Sequence, residues 1–188
     1  MAWRRRWGTS WSFAAPLAVL SAPAPAFAVD YLSADQAQKS LFGDADAFEL
    51  RDFKLDAQER EAIARRTGAS PRERWQLRVA RAGGAIVGVV VVDDVIGKVE
   101  RITYAAGIDA RGRIAGIEIL SYRESHGYEV RLPAWRGQFV GKDAASPLRV
   151  GQDISNISGA TLSCHHVTDG VRQIVAVVDT IRRSGALK

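Results

Sequence analysis

The pattern of apolar residues predicts an antiparallel sheet in the middle of the chain. Ala85–Ile96 is an almost continuous β-branched run, and Ile102–Ile108 and Ile114–Tyr122 follow it. Between the latter two lies Asp109–Gly112, which has the composition of a hairpin turn. Because no helical spacer separates these segments, we predict a meander of three or four sequential strands that starts near Trp75.

Helical patterns lie on both sides of this region. Ser33–Phe42 starts with an N-cap serine, and Asp56–Arg66 is a second, highly charged candidate helix. Pro133–Gly141 predicts a short helix or turn, and Asp143–Ser158 a loop. A long C-terminal helix is predicted from about Ser163 to Arg183. Its apolar stripe is Val167, Val171, Ile174, Val175, Val178 and Ile181. The predicted fold class is α+β, with an antiparallel β-meander packed against helices.

Residues 1–28 differ in composition from the rest of the chain. Three arginines at positions 4–6 precede a mostly apolar stretch, which ends in Ala26-Phe27-Ala28, a small-x-small cleavage pattern. A membrane span needs about 20 apolar residues, and Pro16, Pro23 and Pro25 interrupt the run. We therefore predict a cleavable signal peptide and a periplasmic or otherwise extracytoplasmic protein.

Length and charge restrict the remaining possibilities. The predicted leader holds three arginines and no acid, so its removal lowers the formal net charge from +5 to +2. No block of basic residues remains to form a nucleic-acid groove, and we expect no nucleic-acid partner. The single cysteine excludes an intramolecular disulfide. We predict an N-terminal helical extension at 29–74 and one folded domain at 75–183.

The candidate chemistry lies in the stretch SGATLS, residues 158–163, which is followed by Cys164-His165-His166. Consecutive residues on a helix point about 100° apart, so these three cannot converge on one ion. We expect no metal site, and a C-x-x-C-H haem motif is absent from the sequence. A hydrolytic nucleophile is also disfavoured, because the G-x-S-x-G pattern is missing.

A helix start at this position predicts an anion site. Gly159 permits a tight turn, and Ala160 leaves room for a bulky group. The unpaired N–H groups of the first turn and the helix dipole favour a phosphate near Thr161. Alternatively, Ser158, Thr161 or Ser163 caps the helix. The residues alone do not separate these two interpretations.

SGATLS before a valine-rich helix resembles the flavinylation motif, S/T-G-A-T-x-S/T, of FMN-binding domains. Such domains occur in FMN subunits of Rnf-type and sodium-translocating NADH:quinone oxidoreductases, in nitrous-oxide-reductase maturation flavoproteins and in small exported flavin carriers. Tyr122–Glu129 resembles the family's acidic, glycine-containing segment, and Trp135, Phe139 and Gly141 its W-x-x-x-F-x-G stretch. The likeness covers roughly residues 75–181.

The resemblance implies FMN on Thr161, linked by a phosphoester that an FAD:protein FMN transferase forms. It implies an extracytoplasmic electron-transfer flavoprotein that works as a carrier between a membrane-bound donor, such as a cytochrome or quinol-linked oxidoreductase, and an extracytoplasmic acceptor. The alternatives are a flavin reductase of small substrates such as ferric chelates, and a non-redox envelope binding module. The implied cofactor-binding residues are Thr161, Ser158, Gly159, Ala160, Leu162, Ser163, Glu124, His126, Gly127, Tyr128, Trp135 and Phe139.

Particular roles follow for the segment before the motif. Tyr128, Leu132, Trp135 and Phe139 are expected either to wall the flavin ring or to be ordinary core. Glu124 and Glu129 could adjust the flavin potential, and His126 could donate a hydrogen bond to the reduced ring. The sequence departs from the family six residues before the threonine, where Ser155 replaces an acid. Asp153 is a candidate substitute.

Overall fold

The computed structural model describes residues 29–124 and 126–187. The predicted signal peptide lies outside the described residues, and its cleavage stays a prediction. Within the described ranges, no helix combines the length and the apolar character needed to cross a membrane.

An antiparallel sheet of six strands in the described residues forms the centre of the fold, in the order β1-β6-β5-β4-β3-β2. The strands are β1 (Val29–Asp30), β2 (Ala47–Lys54), β3 (Arg74–Ala82), β4 (Ala85–Ile96), β5 (Arg101–Asp109) and β6 (Ile114–Tyr122). The α-helices are α1 (Ala34–Leu41), α2 (Ala57–Thr67), α3 (Pro133–Arg136) and α4 (Thr161–Arg183). The predicted α+β class and the meander from β3 to β6 are confirmed.

Helices cover both faces of this sheet. On one face α1 packs against β6, β5 and β4, over a small cluster of Ala37, Val90, Ala105 and Leu120. On the other face α4 packs against β4, β5 and α2, and its predicted apolar stripe is buried in the main core. The first turn of α4 leaves this core, because Cys164 is buried whereas Thr161 and Leu162 are exposed.

The start of α4 corrects one prediction. The helix begins at Thr161, two residues before the predicted Ser163, and its N-cap residue is Ala160. No side chain caps the helix, so the interpretation in which Ser158, Thr161 or Ser163 serves as the cap is wrong. Alanine has no side-chain acceptor, and the N–H groups of the first turn are therefore left for another partner.

The segment 29–74 is not only helical, as predicted, because it also contributes β2 to the sheet. α1 and α2 are present, each with a capping box, at Ser33 and Asp56. β2 pairs with β3 at the edge of the sheet, and its side chains are half-buried or exposed. An edge strand with so little burial needs few apolar residues, so the charged sequence AFELRDFK gave no strand pattern.

Candidate functional site

A surface pocket of ≈ 330 Å³ lies at the first turn of α4. Three segments form it: the turn between β4 and β5, the loop after β6, and residues 159–163. The lining residues are Lys98, Val99, Glu124, His126, Gly159, Ala160, Thr161, Leu162 and Ser163. The structure therefore brings seven of the twelve predicted site residues together.

Thr161 is the first residue of α4, and its side chain is exposed in this pocket. Its Oγ1 accepts a hydrogen bond of 3.2 Å from Nδ2 of Asn156. The first intrahelical bond at this end runs from the N–H of Cys164 to the carbonyl of Ala160. Within the described residues, the N–H groups of Thr161, Leu162 and Ser163 have no hydrogen-bond acceptor. Three free donors thus surround one exposed hydroxyl.

The backbone before Thr161 is held by a tight turn. Gly159 has φ of +84°, a left-handed conformation that favours glycine, and the N–H of Ala160 donates to the carbonyl of Ile157 at 3.0 Å. Ala160 is buried, and a Cβ on Gly127 would lie only 2.8 Å from its Cβ. The space beside Ala160, expected to take a bulky group, is therefore largely filled by the loop that carries Gly127.

Ser163 faces inward at the base of the pocket. Its Oγ lies 3.2 Å from Oη of Tyr122, which donates a 2.5 Å hydrogen bond to the carbonyl of His126. Burial raises the pKa of the Tyr122 hydroxyl, although its bond with Ser163 acts in the opposite direction. Tyr122 therefore stays protonated at neutral pH and joins the loop after β6 to the first turn of α4.

The turn between β4 and β5 is held from two sides. Oε1 of Glu124 accepts hydrogen bonds from the N–H groups of Val99 and Glu100, at 2.7 and 2.9 Å. Nδ1 of His166, on α4, donates to the carbonyl of Ile96 at 2.5 Å. Burial alone would raise the pKa of Glu124, but the backbone N–H groups outweigh it, and the pKa lies below its usual range. The side of the pocket that Lys98 and Val99 form is thus fixed.

Glu124→Ala is expected to speed hydrogen exchange at the Val99 and Glu100 amides about tenfold at neutral pH, since both lose a charged acceptor. The folded-state pKa of Glu124 is lowered from 4.5. Its contribution to stability is therefore full above pH 4.5 and is lost as the pH falls through the folded pKa. Amide exchange followed by NMR at several pH values measures both effects.

Glu124→Gln is the matched control, because it keeps an oxygen at the position that accepts both bonds. It should retain part of the protection at neutral pH and lose the acid dependence of the wild type. Equal exchange rates in Glu124→Ala and wild type would show that this carboxylate does not hold the turn.

Five predicted site residues do not line the pocket. Trp135 and Phe139 are buried in the main core, where their rings meet edge to face with centroids 5.0 Å apart. Of the two roles expected for them, core is the one observed. Ser158 is exposed on the turn, Gly127 packs behind Ala160, and the exposed ring of Tyr128 lies 5.8 Å from the guanidinium of Arg131.

Sequence reasoning missed Lys98, Val99 and Asn156. Lys98 supplies a cation to the pocket, and Val99 is its most exposed apolar side chain, with 71% of its surface accessible. These two residues lie more than 60 positions from Thr161, so only tertiary structure brings them to it. The one sequence signal is a Gly-Lys pair directly after the long β-branched run. Within the described residues, no group of three or more His, Cys, Asp or Glu is placed to hold a metal ion.

The comparison with protein families decides which kind of site this is. The family model described as FMN-binding domain matches residues 97–176, a range that contains every residue lining the pocket. Residues 97–176 belong to the FMN-binding domain family. The resemblance inferred from SGATLS is confirmed over this range. No protein with a curated function matches the chain.

Solved structures share the fold in which this FMN-binding domain lies. One is NqrC of Shewanella oneidensis, with a TM-score of 0.51 and 16% identity over 78% of this chain and 86% of that one. Another is the corresponding component of the Na⁺-translocating NADH-quinone reductase of Parabacteroides distasonis, with a TM-score of 0.50 and 16% identity over 80% and 84% of the two chains. The alignments extend beyond residues 97–176, so the likeness includes strands before the matched domain.

Proposed function

We propose that this protein is an extracytoplasmic electron-transfer flavoprotein that carries FMN as a phosphoester on Thr161. One observation carries the proposal: an exposed threonine hydroxyl stands at a helix start with three free N–H groups, inside a region of the FMN-binding domain family. Attachment at this hydroxyl needs a donor of the FMN group, for which FAD and an FAD:protein FMN transferase are the partners that the family resemblance implies.

The donor set fits the phosphate. The phosphoester on Thr161 would be a monoanion, which the start of α4 stabilises by about 0.3–1 kcal/mol. The N–H groups of Thr161, Leu162 and Ser163 are free to bind its oxygens, and Lys98 in the same pocket brings the compensating charge. No acidic group other than Glu124 lines the pocket, and that carboxylate is bound by backbone N–H groups.

The flavin ring needs apolar contacts, and the pocket offers aliphatic ones. Val99 and Leu162 line it from opposite segments, and they are 71% and 45% exposed. Burying part of these surfaces against the ring would gain about 25 cal/mol per Å². His126, also at the pocket, is a candidate donor to the ring. Bound FMN supplies reversible one- or two-electron transfer, while these side chains hold and orient it.

A carrier role explains why attachment is covalent. A tethered flavin keeps a high effective concentration at its own pocket, whereas a free one would be diluted outside the cytoplasm. The leader pattern of residues 1–28 supports this location. The proposed partners are a membrane-bound donor, such as a cytochrome or quinol-linked oxidoreductase, and an extracytoplasmic acceptor.

The test uses the full chain produced with its leader in cells that express an FAD:protein FMN transferase. The purified protein should weigh more than its amino acids by one FMN less one water, and should show an acid-stable yellow chromophore. Cells without the transferase supply the control, which should lack both. A colourless chain of unmodified mass in both strains would overturn the proposal and leave the non-redox binding module. Rapid turnover of ferric chelates by the yellow protein would indicate a reductase instead of a carrier.

A further inference from the structure

The contact between Asn156 and Thr161 assigns a role to a residue outside the recognised motif. Asn156 Nδ2 lies 3.2 Å from Oγ1 of Thr161. Among the described residues, no other side chain forms a hydrogen bond with that hydroxyl. A donor on one lone pair of Oγ1 fixes its rotamer and leaves the other lone pair and the hydroxyl proton for the pocket.

The acids and hydroxyls nearby are engaged elsewhere. The carboxylate of Asp153 accepts from the N–H groups of Leu148 and Arg149 at 3.1 and 2.8 Å, and lies 3.1 Å from Nζ of Lys142. It therefore organises its own loop and does not replace the missing acid at Thr161. Ser155 is held through its backbone.

The backbone around Asn156 is anchored on both sides. Nε1 of Trp135 donates to the carbonyl of Ser155 at 2.9 Å, and the N–H of Ser155 donates to Oε1 of Gln138 at 2.8 Å. On the other side, Ile157 packs against the main core. The buried Trp135 thus supports the loop that presents Asn156, which gives the W-x-x-x-F stretch a function apart from contact with the ring.

We propose that Asn156 is a positioning residue that orients the Thr161 hydroxyl for flavin transfer; this rests on the proposed function. In that transfer Oγ1 of Thr161 forms a bond to the flavin-side phosphorus of FAD. The bond from this phosphorus to the bridging oxygen breaks, AMP leaves, and the hydroxyl proton passes to water or to a base of the transferase. No electrons are exchanged. Asn156 is neutral, so it directs the hydroxyl and does not accept the proton.

The experiment follows flavin transfer to purified apoprotein by intact mass, with purified transferase and saturating FAD. Asn156→Ala and Asn156→Asp should both lower kcat by about 2- to 12-fold, the range of one neutral hydrogen bond, with little change in KM for the apoprotein. Aspartate matches asparagine in shape and in its turn preference but lacks the N–H donor at neutral pH. A purely structural role would therefore leave Asn156→Asp at the wild-type rate.

Ser155→Ala is the matched control, since only the backbone of Ser155 makes the contacts that hold the loop. It should transfer flavin at the wild-type rate. Wild-type kcat in Asn156→Ala, wild-type or faster transfer in Asn156→Asp, or equal slowing in Ser155→Ala would each overturn the inference. Failure of the wild-type chain to gain mass would instead overturn the proposed function, so the two failures are distinguishable.

Discussion

Thr161→Ala is expected to abolish covalent flavin attachment, while Thr161→Ser retains it. Both side chains are small, but only serine keeps an oxygen at the start of α4 beside the free N–H groups and Asn156. Because Thr161 is exposed, neither change should alter the free energy of unfolding by more than about 0.5 kcal/mol. Intact mass after production with the transferase measures the loss, and thermal unfolding checks the fold.

Neighbouring hydroxyls supply the controls for this result. Ser158 is exposed on the adjacent turn and does not line the pocket, so Ser158→Ala should still be flavinylated. Ser163 is buried with its Oγ near Tyr122, and its hydroxyl is not available for transfer. A full FMN increment on Thr161→Ala would place the linkage elsewhere and contradict the assignment.

The parts of the fold that local pattern determines were predictable. β4 and β6 have the bounds read from the sequence, because a continuous β-branched run and an alternating one have strong local signals. The stripe of α4 followed in the same way. β2 was not predictable, since an exposed edge strand carries no such pattern.

The site was predictable only where the motif is contiguous. Thr161 and its neighbours lie together in the sequence, whereas Lys98 and Val99 reach the pocket through pairing of β4, β5 and β6. Trp135 and Phe139 illustrate a second limit. Two aromatic residues four positions apart face the same way whether they line a ligand or fill a core, and only their observed burial separates these roles.

The loop after β6 connects the other two segments of the pocket. Its Glu124 holds the turn of Val99 and Glu100, and its Gly127 packs on Ala160 at the start of α4. Tyr122, at the end of β6, bonds to the same loop and approaches Ser163. A change in the packing of this loop therefore acts on both sides of the pocket.

Gly127→Ala is consequently expected to cause the largest loss of stability among single substitutions at the site. Gly127 has φ of +88°, where any other residue costs about 1–2 kcal/mol. The new Cβ would also lie 2.6 Å from Oη of Tyr122 and 2.8 Å from Cβ of Ala160, in a packed region where such crowding costs about 1–3 kcal/mol. Urea denaturation should show the free energy of unfolding lowered by roughly 2–5 kcal/mol.

Gly141→Ala separates the two causes of this loss. Gly141 has a similar φ of +80°, but a Cβ there meets nothing within 4 Å. Its substitution should cost only the backbone strain of about 1–2 kcal/mol, and it lies outside the pocket, so flavin transfer should continue at the wild-type rate. The excess loss in Gly127→Ala, together with slower transfer to its folded fraction, then measures how far contact between the loop and the start of α4 shapes the site. Equal destabilisation of the two variants would mean that the loop yields without cost and that this contact does not organise the pocket.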